Sequence, residues 1–237
     1  MKVRIKFAKS GPMRFIGHLD MMRFFQKAVR RAGIDVAYSE GFSPHQIMSF
    51  AAPLGVGLTS HGEYLDLEVK SHSGAEDMKR RLNEVMVEGM EILGVTMLEN
   101  GAKNAMASVA AARYSVRFRK GCAPSFDWAD RLAAFYQKSS IMVRKKTKKS
   151  EMDLDLKPHI YQLSVLGEGE AAGISMLVNA GSSCNIKPAL VMGAFLKENG
   201  EELQEFALEI TREDTFMDLG TEGMRKLVPL DAVGMGF

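Results

Sequence analysis

Hydrophobic and polar residues alternate from the first positions of the chain. Lys2 to Lys9 sets Val3, Ile5 and Phe7 on one side and Lys2, Arg4 and Lys6 on the other. That period of two predicts a strand with one face buried and one in water. The period then changes. Between His18 and Ala32, Met21, Phe24, Phe25, Ala28, Val29 and Ala32 recur at helical spacing, with Arg23, Lys27, Arg30 and Arg31 opposite them. Gly33 supplies a C-cap, and Arg30 and Arg31 complement the dipole of the last turn. Ile47 to Ala52 predicts a second strand, Glu63 to Val69 a third, Ala75 to Met90 a second helix and Leu93 to Leu98 a fourth strand. The order βαββαβ over residues 1–100 is that of a ferredoxin-like domain.

Asn100 to Ala112 is rich in small residues and reads as a linker or a short helix. The theme then repeats over 112–227. Tyr114 to Arg119 alternates, and Asp127 to Lys138 is a helix with Trp128, Leu132 and Phe135 inside. Ile141 to Arg144 is a strand, and Leu154–Leu166 and Ile174–Asn179 read as paired strands. Pro188 to Leu196 is a helix opened by proline in its first turn, and Glu205 to Arg212 is a last strand. Residues 228–237 read as a poorly ordered tail. The expected fold class is therefore α+β: two ferredoxin-like units, each an antiparallel sheet covered by helices.

A length of 237 residues suits two domains. A hydrophobic content of 46% with 25% charged residues is that of a globular protein and argues against extended disorder. A stretch of about 20 apolar residues, as a membrane span needs, does not occur, and the N-terminus lacks a signal-like apolar run. A cytoplasmic protein with no membrane role is expected. Cys122 and Cys184 stand far apart outside any C-x-x-C pair and read as free thiols. The net charge of +2 hides segregation. Lys2, Arg4, Lys6, Lys9, Arg14, Arg23, Lys27, Arg30 and Arg31 face a lone Asp20 in the first 31 residues, and Arg144 to Lys149 adds a second cluster. Local positive potential of this kind attracts polyanions.

The string RFIGHLDMMRFFQKAVRRAGIDVAYSEGFSPHQIMSFAAPLGVG, followed by GEYLDLEV, resembles the radical-SAM-associated (radical-SAM-linked) protein family. This is a bacterial domain of undefined function found beside, or fused to the C-terminal end of, radical SAM proteins. The resemblance is strongest over residues 1–70 and continues in KKTKKSEMDLDLKPHI. It implies an accessory protein that binds or presents a substrate to a separately encoded radical SAM enzyme. A [4Fe–4S] cluster is held by closely spaced cysteine thiolates, and Cys122 and Cys184 cannot supply them. The chain cannot carry such a cluster unaided, and no cofactor of its own is expected.

The candidate chemistry gathers near the first helix. Asp20 in the first turn and His18 at its start fit simple capping and dipole roles. They also fit a small anion- or substrate-binding pocket shared with Arg14, Arg23 and His45, where a helix N-terminus already favours anions. His18, His45 and Asp20 are the candidate catalytic groups, since a histidine can act as general acid or base on a phosphate-containing substrate. Two histidines without a further ligand pattern make a poor metal site, and none is expected. Candidate RNA or anion contacts are Arg14, Arg23, Lys27, Arg30 and Ser43, together with Arg144, Lys145, Lys146, Lys148 and Lys149 on a hairpin tip. G-x-G-x-x-G, Walker, nucleophile-elbow and H-E-x-x-H motifs do not occur. Three readings follow. The first is a non-catalytic RNA-binding accessory protein for modification of RNA or the translation apparatus. The second is an enzyme using His18 and His45. The third is a module that docks the radical SAM partner through a methionine-rich surface.

Overall fold

The computed structural model of the protein describes residues 1–146, 151–221 and 223–234. Its elements are β1 (Lys2–Lys9), α1 (His18–Arg31), β2 (Met48–Phe50), β3 (Thr59–Glu68), α2 (Ala75–Asn83), β4 (Met90–Leu98) and α3 (Ala105–Ser108). These are followed by β5 (Ala111–Phe118), α4 (Trp128–Gln137), β6 (Met142–Lys146), β7 (Glu151–Asp155), β8 (Ile160–Leu166), β9 (Gly173–Asn179), α5 (Pro188–Glu198), β10 (Leu208–Asp218) and β11 (Leu227–Pro229). The fold is mixed α+β with antiparallel pairing predominating. The chain divides into two compact units, residues 1–110 with 212–237 and residues 111–211.

In the first unit β4, β1 and β3 lie side by side, and the far edge of β3 carries both β2 and β10. Ile5 sits opposite Leu65 on β3 and Val95 on β4. One face of this sheet holds the core foreseen from the periodicity. Val3, Ile5, Phe7, Leu65, Leu67 and Ile92 pack with Met21, Phe25 and Val29 of α1 and with Met78 and Leu82 of α2. Phe25 joins the layers, with ring centroids 4.7 Å from Phe7 and 5.6 Å from Phe50. Each such side chain contributes about 1.5–3 kcal/mol on leaving water.

The other face of β1 departs from expectation. Lys2, Arg4 and Lys6 alternate as a water-facing row would, yet Arg4 is 1% exposed. Its guanidinium holds Asp66 through two bonds of 2.8 and 3.0 Å and donates to the carbonyls of Leu230 at 2.8 Å and Lys103 at 3.1 Å. Asp66 also accepts the amide of Ala105 at 2.7 Å. What covers this face is the end of the chain. β11 pairs with β10, Leu230 is wholly buried, and a second apolar cluster forms from Ala51, Tyr64, Ala105, Met217 and Leu230. The stretch read as a tail from residue 228 is thus ordered structure through residue 234, and the segment from Arg212 onward belongs with the first unit.

Two boundaries also move. α2 stops at Asn83, seven residues before the periodicity suggests. There the Asn83 side chain exchanges two hydrogen bonds with the backbone of Ile92, and Gly89 turns at φ +85° against the Ser10 carbonyl, where no Cβ fits. Val85 and Met86 still pack on the core from the turn. β3 starts at Thr59, ahead of the predicted Glu63.

The second unit orders its strands β5-β9-β8, with Ser115 opposite Ser175. Arg119 donates its amide to the Ala207 carbonyl at 2.8 Å just before β10. Leu132 and Phe135 of α4 and Val191, Met192 and Phe195 of α5 are buried, and Phe135 meets Phe195 at 5.4 Å. Leu154 to Leu166 is not one strand. Pro158 sits in a 3₁₀ turn over Lys157–His159, since proline cannot donate to a ladder. Among the described residues β7 before the turn pairs only with β6, and β8 after it pairs with β9.

Candidate nucleic-acid interface

α1 is the centre of the candidate surface because its two sides differ so completely. Met21, Phe25, Ala28 and Val29 are buried, while Arg23, Lys27, Arg30 and Arg31 are exposed on the opposite stripe. Arg23 pairs with Asp20 at 3.2 Å across one turn, a solvated pair worth little.

The loop after α1 folds back as a tight hairpin. Ile47 donates to the Ala37 carbonyl, Tyr38 bridges to Gln46, and Ser39 donates its amide to the His45 carbonyl at 2.9 Å. The Ser39 hydroxyl lies 2.9 Å from His45 Nδ1 and accepts the His45 amide at 3.1 Å. Gln46 is buried and its Nε2 donates to the Gln26 carbonyl at 3.2 Å, fastening the loop to α1. The tip is thereby held outward. Gly41 turns at φ +106°, Phe42 beside it is fully exposed, Ser43 is exposed and Tyr38 is half exposed. Phe42 buries nothing and so contributes nothing to the packing of the core.

His18 belongs to another place. It is exposed, its ring stands edge-on to Phe50 at 5.4 Å, and it borders a cavity of about 20 Å³ with Lys9, Glu63, Pro53 and Leu54. Gln26, where the His45 loop is fastened, lies eight residues further along α1, roughly 12 Å at the helical rise. Among the described residues no hydrogen bond, ion pair or ring contact joins His18 to His45. The two histidines attend different parts of the helix, and the compact pocket expected from Arg14, His18, Asp20 and His45 does not assemble around both. Arg14 packs over the Phe15 ring at 4.8 Å, and Phe15 itself is 60% exposed.

The buried ionic groups here escape a reading by composition. Lys9 is 4% exposed and donates to the Ile16 carbonyl at 2.8 Å. Desolvation holds its ammonium pKa below the usual value, with Glu63 opposing and Arg212 reinforcing the shift. Glu63 is in turn clasped by Arg212, which also donates to the Ala52 carbonyl at 2.6 Å. One signal for Lys9 existed: it falls in phase with Val3, Ile5 and Phe7, on the apolar side of β1. Tyr64 donates to Asp214 at 2.6 Å and Asp231 at 3.1 Å, and burial with these carboxylates raises its pKa far beyond the phenol range. Lys6 completes that group, 2.7 Å from Asp214.

In the second unit Arg144 is exposed and 3.0 Å from Glu151. Lys148 and Lys149 lie outside the described residues, as do the side chains of Lys145 and Lys146. Among the described residues, no three His, Cys, Asp or Glu side chains are grouped to hold a metal ion, and no helix is long and apolar enough to cross a membrane.

The family profile for DUF2344, described as an uncharacterized protein conserved in bacteria, matches residues 2–188. The chain belongs to this family. No curated protein matches it. Among solved structures, it is similar to a chain of the crystal structure of a Cbf5-Nop10-Gar1 complex, at 12% identity and a TM-score of 0.49. The alignment covers 90% of this chain and 48% of that one, so the protein spans about half the length of its structural match. The family match takes in α1, the 38–46 loop and the β6–β7 hairpin.

Proposed function

We propose that this DUF2344 protein is a non-catalytic RNA-binding accessory protein that serves a separately encoded radical SAM enzyme in modifying RNA or the translation apparatus. The observation that carries the RNA reading is the juxtaposition on α1 and its loop. Phe42 projects bare into solvent from a loop fastened to the same helix that displays Lys27, Arg30 and Arg31. Single-stranded nucleic acid is bound by this pairing of features, cations tracking the backbone while an aromatic face stacks on a base. Tyr38 and Phe15 extend the aromatic supply. We read both units as ferredoxin-like. In the first, β2 and β4 flank β3 and β1 in the order β4-β1-β3-β2. The radical SAM connection rests on the resemblance of residues 1–70, and the scarcity of cysteine makes the chain the accessory rather than the enzyme.

The test is fluorescence anisotropy with a labelled single-stranded RNA across a salt series. Wild-type affinity should fall linearly in log–log form, by roughly 0.7 per phosphate neutralised. Reversing Lys27, Arg30 and Arg31 to Glu should weaken binding at least about tenfold at low salt and flatten that slope. Phe42→Ala should cost about 1–3 kcal/mol and leave the slope unchanged. A flat salt response, or no binding at low salt, defeats the RNA reading. Absence of co-purification with the neighbouring radical SAM protein defeats the accessory one.

A further inference from the structure

We infer that the second unit carries a docking groove for an extended, acidic segment of a partner protein, which adds as a strand to the open edge of β6. The groove encloses about 670 Å³ and is lined by the end of α4, by residues 141–144 and by one side of α5. No β7 residue lines it, so it runs along the edge of β6 that faces away from β7. That edge has no strand partner among the described residues, because β6 and β7 form a sheet of their own. A two-stranded ribbon is marginal by itself, and an unpaired edge is a template for another chain.

The walls suit a peptide strand. Gly193 and Ala194 leave room against α5, and Phe135 and Leu190 give an apolar floor for alternate side chains. Lys138, Arg144 and Lys197 line the groove together with a lone carboxylate, Glu198. Lys138 and Arg144 hold Glu198 at 2.6 Å and Glu151 at 3.0 Å, exposed pairs weak enough to be exchanged for an incoming carboxylate. Main-chain hydrogen bonds along an edge are reciprocated by a peptide and not by a nucleic acid, while the cations select acidic side chains. None of the groove's residues belongs to α1 or to the loop that carries Phe42.

The full chain should bind a fluorescein-labelled peptide of alternating Val and Glu, and amide exchange at residues 142–146 should slow on binding. The same peptide with Lys for Glu, or with alternate Val replaced by Pro, should bind at least about tenfold more weakly. Gly193→Leu is the decisive variant. A Cβ at Gly193 meets nothing within 4 Å, and leucine is the better helix former, so the fold should keep its Tm while the groove is filled. Gly193→Leu and Lys197→Glu should each reduce affinity at least about tenfold. Unaltered affinity in Gly193→Leu, or equal binding of the Lys peptide, would overturn the proposal. So would loss of RNA binding in Gly193→Leu without peptide competition, which would mark a nucleic-acid groove. Self-association abolished by Gly193→Leu, with no peptide binding, would mark a second copy as the occupant and overturn it equally.

Discussion

Arg4 and Lys9 stand on opposite faces of β1, both buried, and each is stabilised differently. Arg4 has a carboxylate and two carbonyls around a fixed planar fork, so its charge is matched by geometry. Lys9 has one carbonyl and a neighbouring ion pair, and its charge is tolerated rather than matched. Because burial lowers the Lys9 pKa, the unfolded chain holds that proton more tightly than the folded one. The burial cost is fully present below the lowered folded value, and stability rises from there toward the ordinary 10.5. Lys9→Met should abolish that rise. Urea midpoints measured from neutral pH to 10.5 should climb for the wild type and stay level for the variant, and parallel curves would refute the assignment. The phase of Lys9 with Val3, Ile5 and Phe7 was legible in the sequence. Its partners, Glu63 and Arg212, were not, since nothing local ties positions 63 and 212 to position 9.

At the scale of elements, periodicity located the helices and most strands because each is a local pattern repeated over several residues. It failed where a single side chain ended the pattern. Asn83 terminates α2 by bonding to Ile92, and the turn around Pro158 divides what alternation joined into β7 and β8. That second break sets off the β6–β7 hairpin, whose base is closed by the Leu156 amide donating to the Ile141 carbonyl and by the Asp155 side chain. Asp155 accepts the amides of Ile141 at 2.8 Å and Lys157 at 2.9 Å, and these bonds hold its carboxyl below the usual carboxylate range. The contribution is therefore present above the ordinary carboxylate pKa and lost as pH falls through the lowered folded value. In Asp155→Ala, exchange of the Ile141 and Lys157 amides should quicken by roughly tenfold, with the β8–β9 amides unaffected. Equal acceleration in both places would mean that the hairpin has no separate stability.

Over the whole molecule, the first unit is completed by residues more than a hundred positions away from its start. Removing residues 227–237 takes away Leu230 and one of the two carbonyls that Arg4 reaches, and Arg4→Met takes away the other side of the same arrangement, leaving Asp66 without its guanidinium partner. Each change should cost about 3–5 kcal/mol in denaturant unfolding, and the pair together less than their sum. Strict additivity would show that the two are not coupled. This closure also explains the division of the candidate surface. Alternation identified Lys2, Arg4 and Lys6 as sharing a face but was silent on what lay over it, whereas α1 keeps a row of exposed cations that this closure leaves uncovered.

The sequence by itself determined which residues share a face of each strand and helix, the βαββαβ order of the first hundred residues, and the cationic stripe of α1. Tertiary structure alone decided that Arg4 on the polar face of β1 is buried, that the segment from Arg212 joins the first unit, and that His18 and His45 serve separate neighbourhoods. The reason is separation along the chain. A side chain's own neighbours write its periodicity, whereas the bond from Arg4 to Leu230 spans 226 positions and leaves no mark on either local pattern.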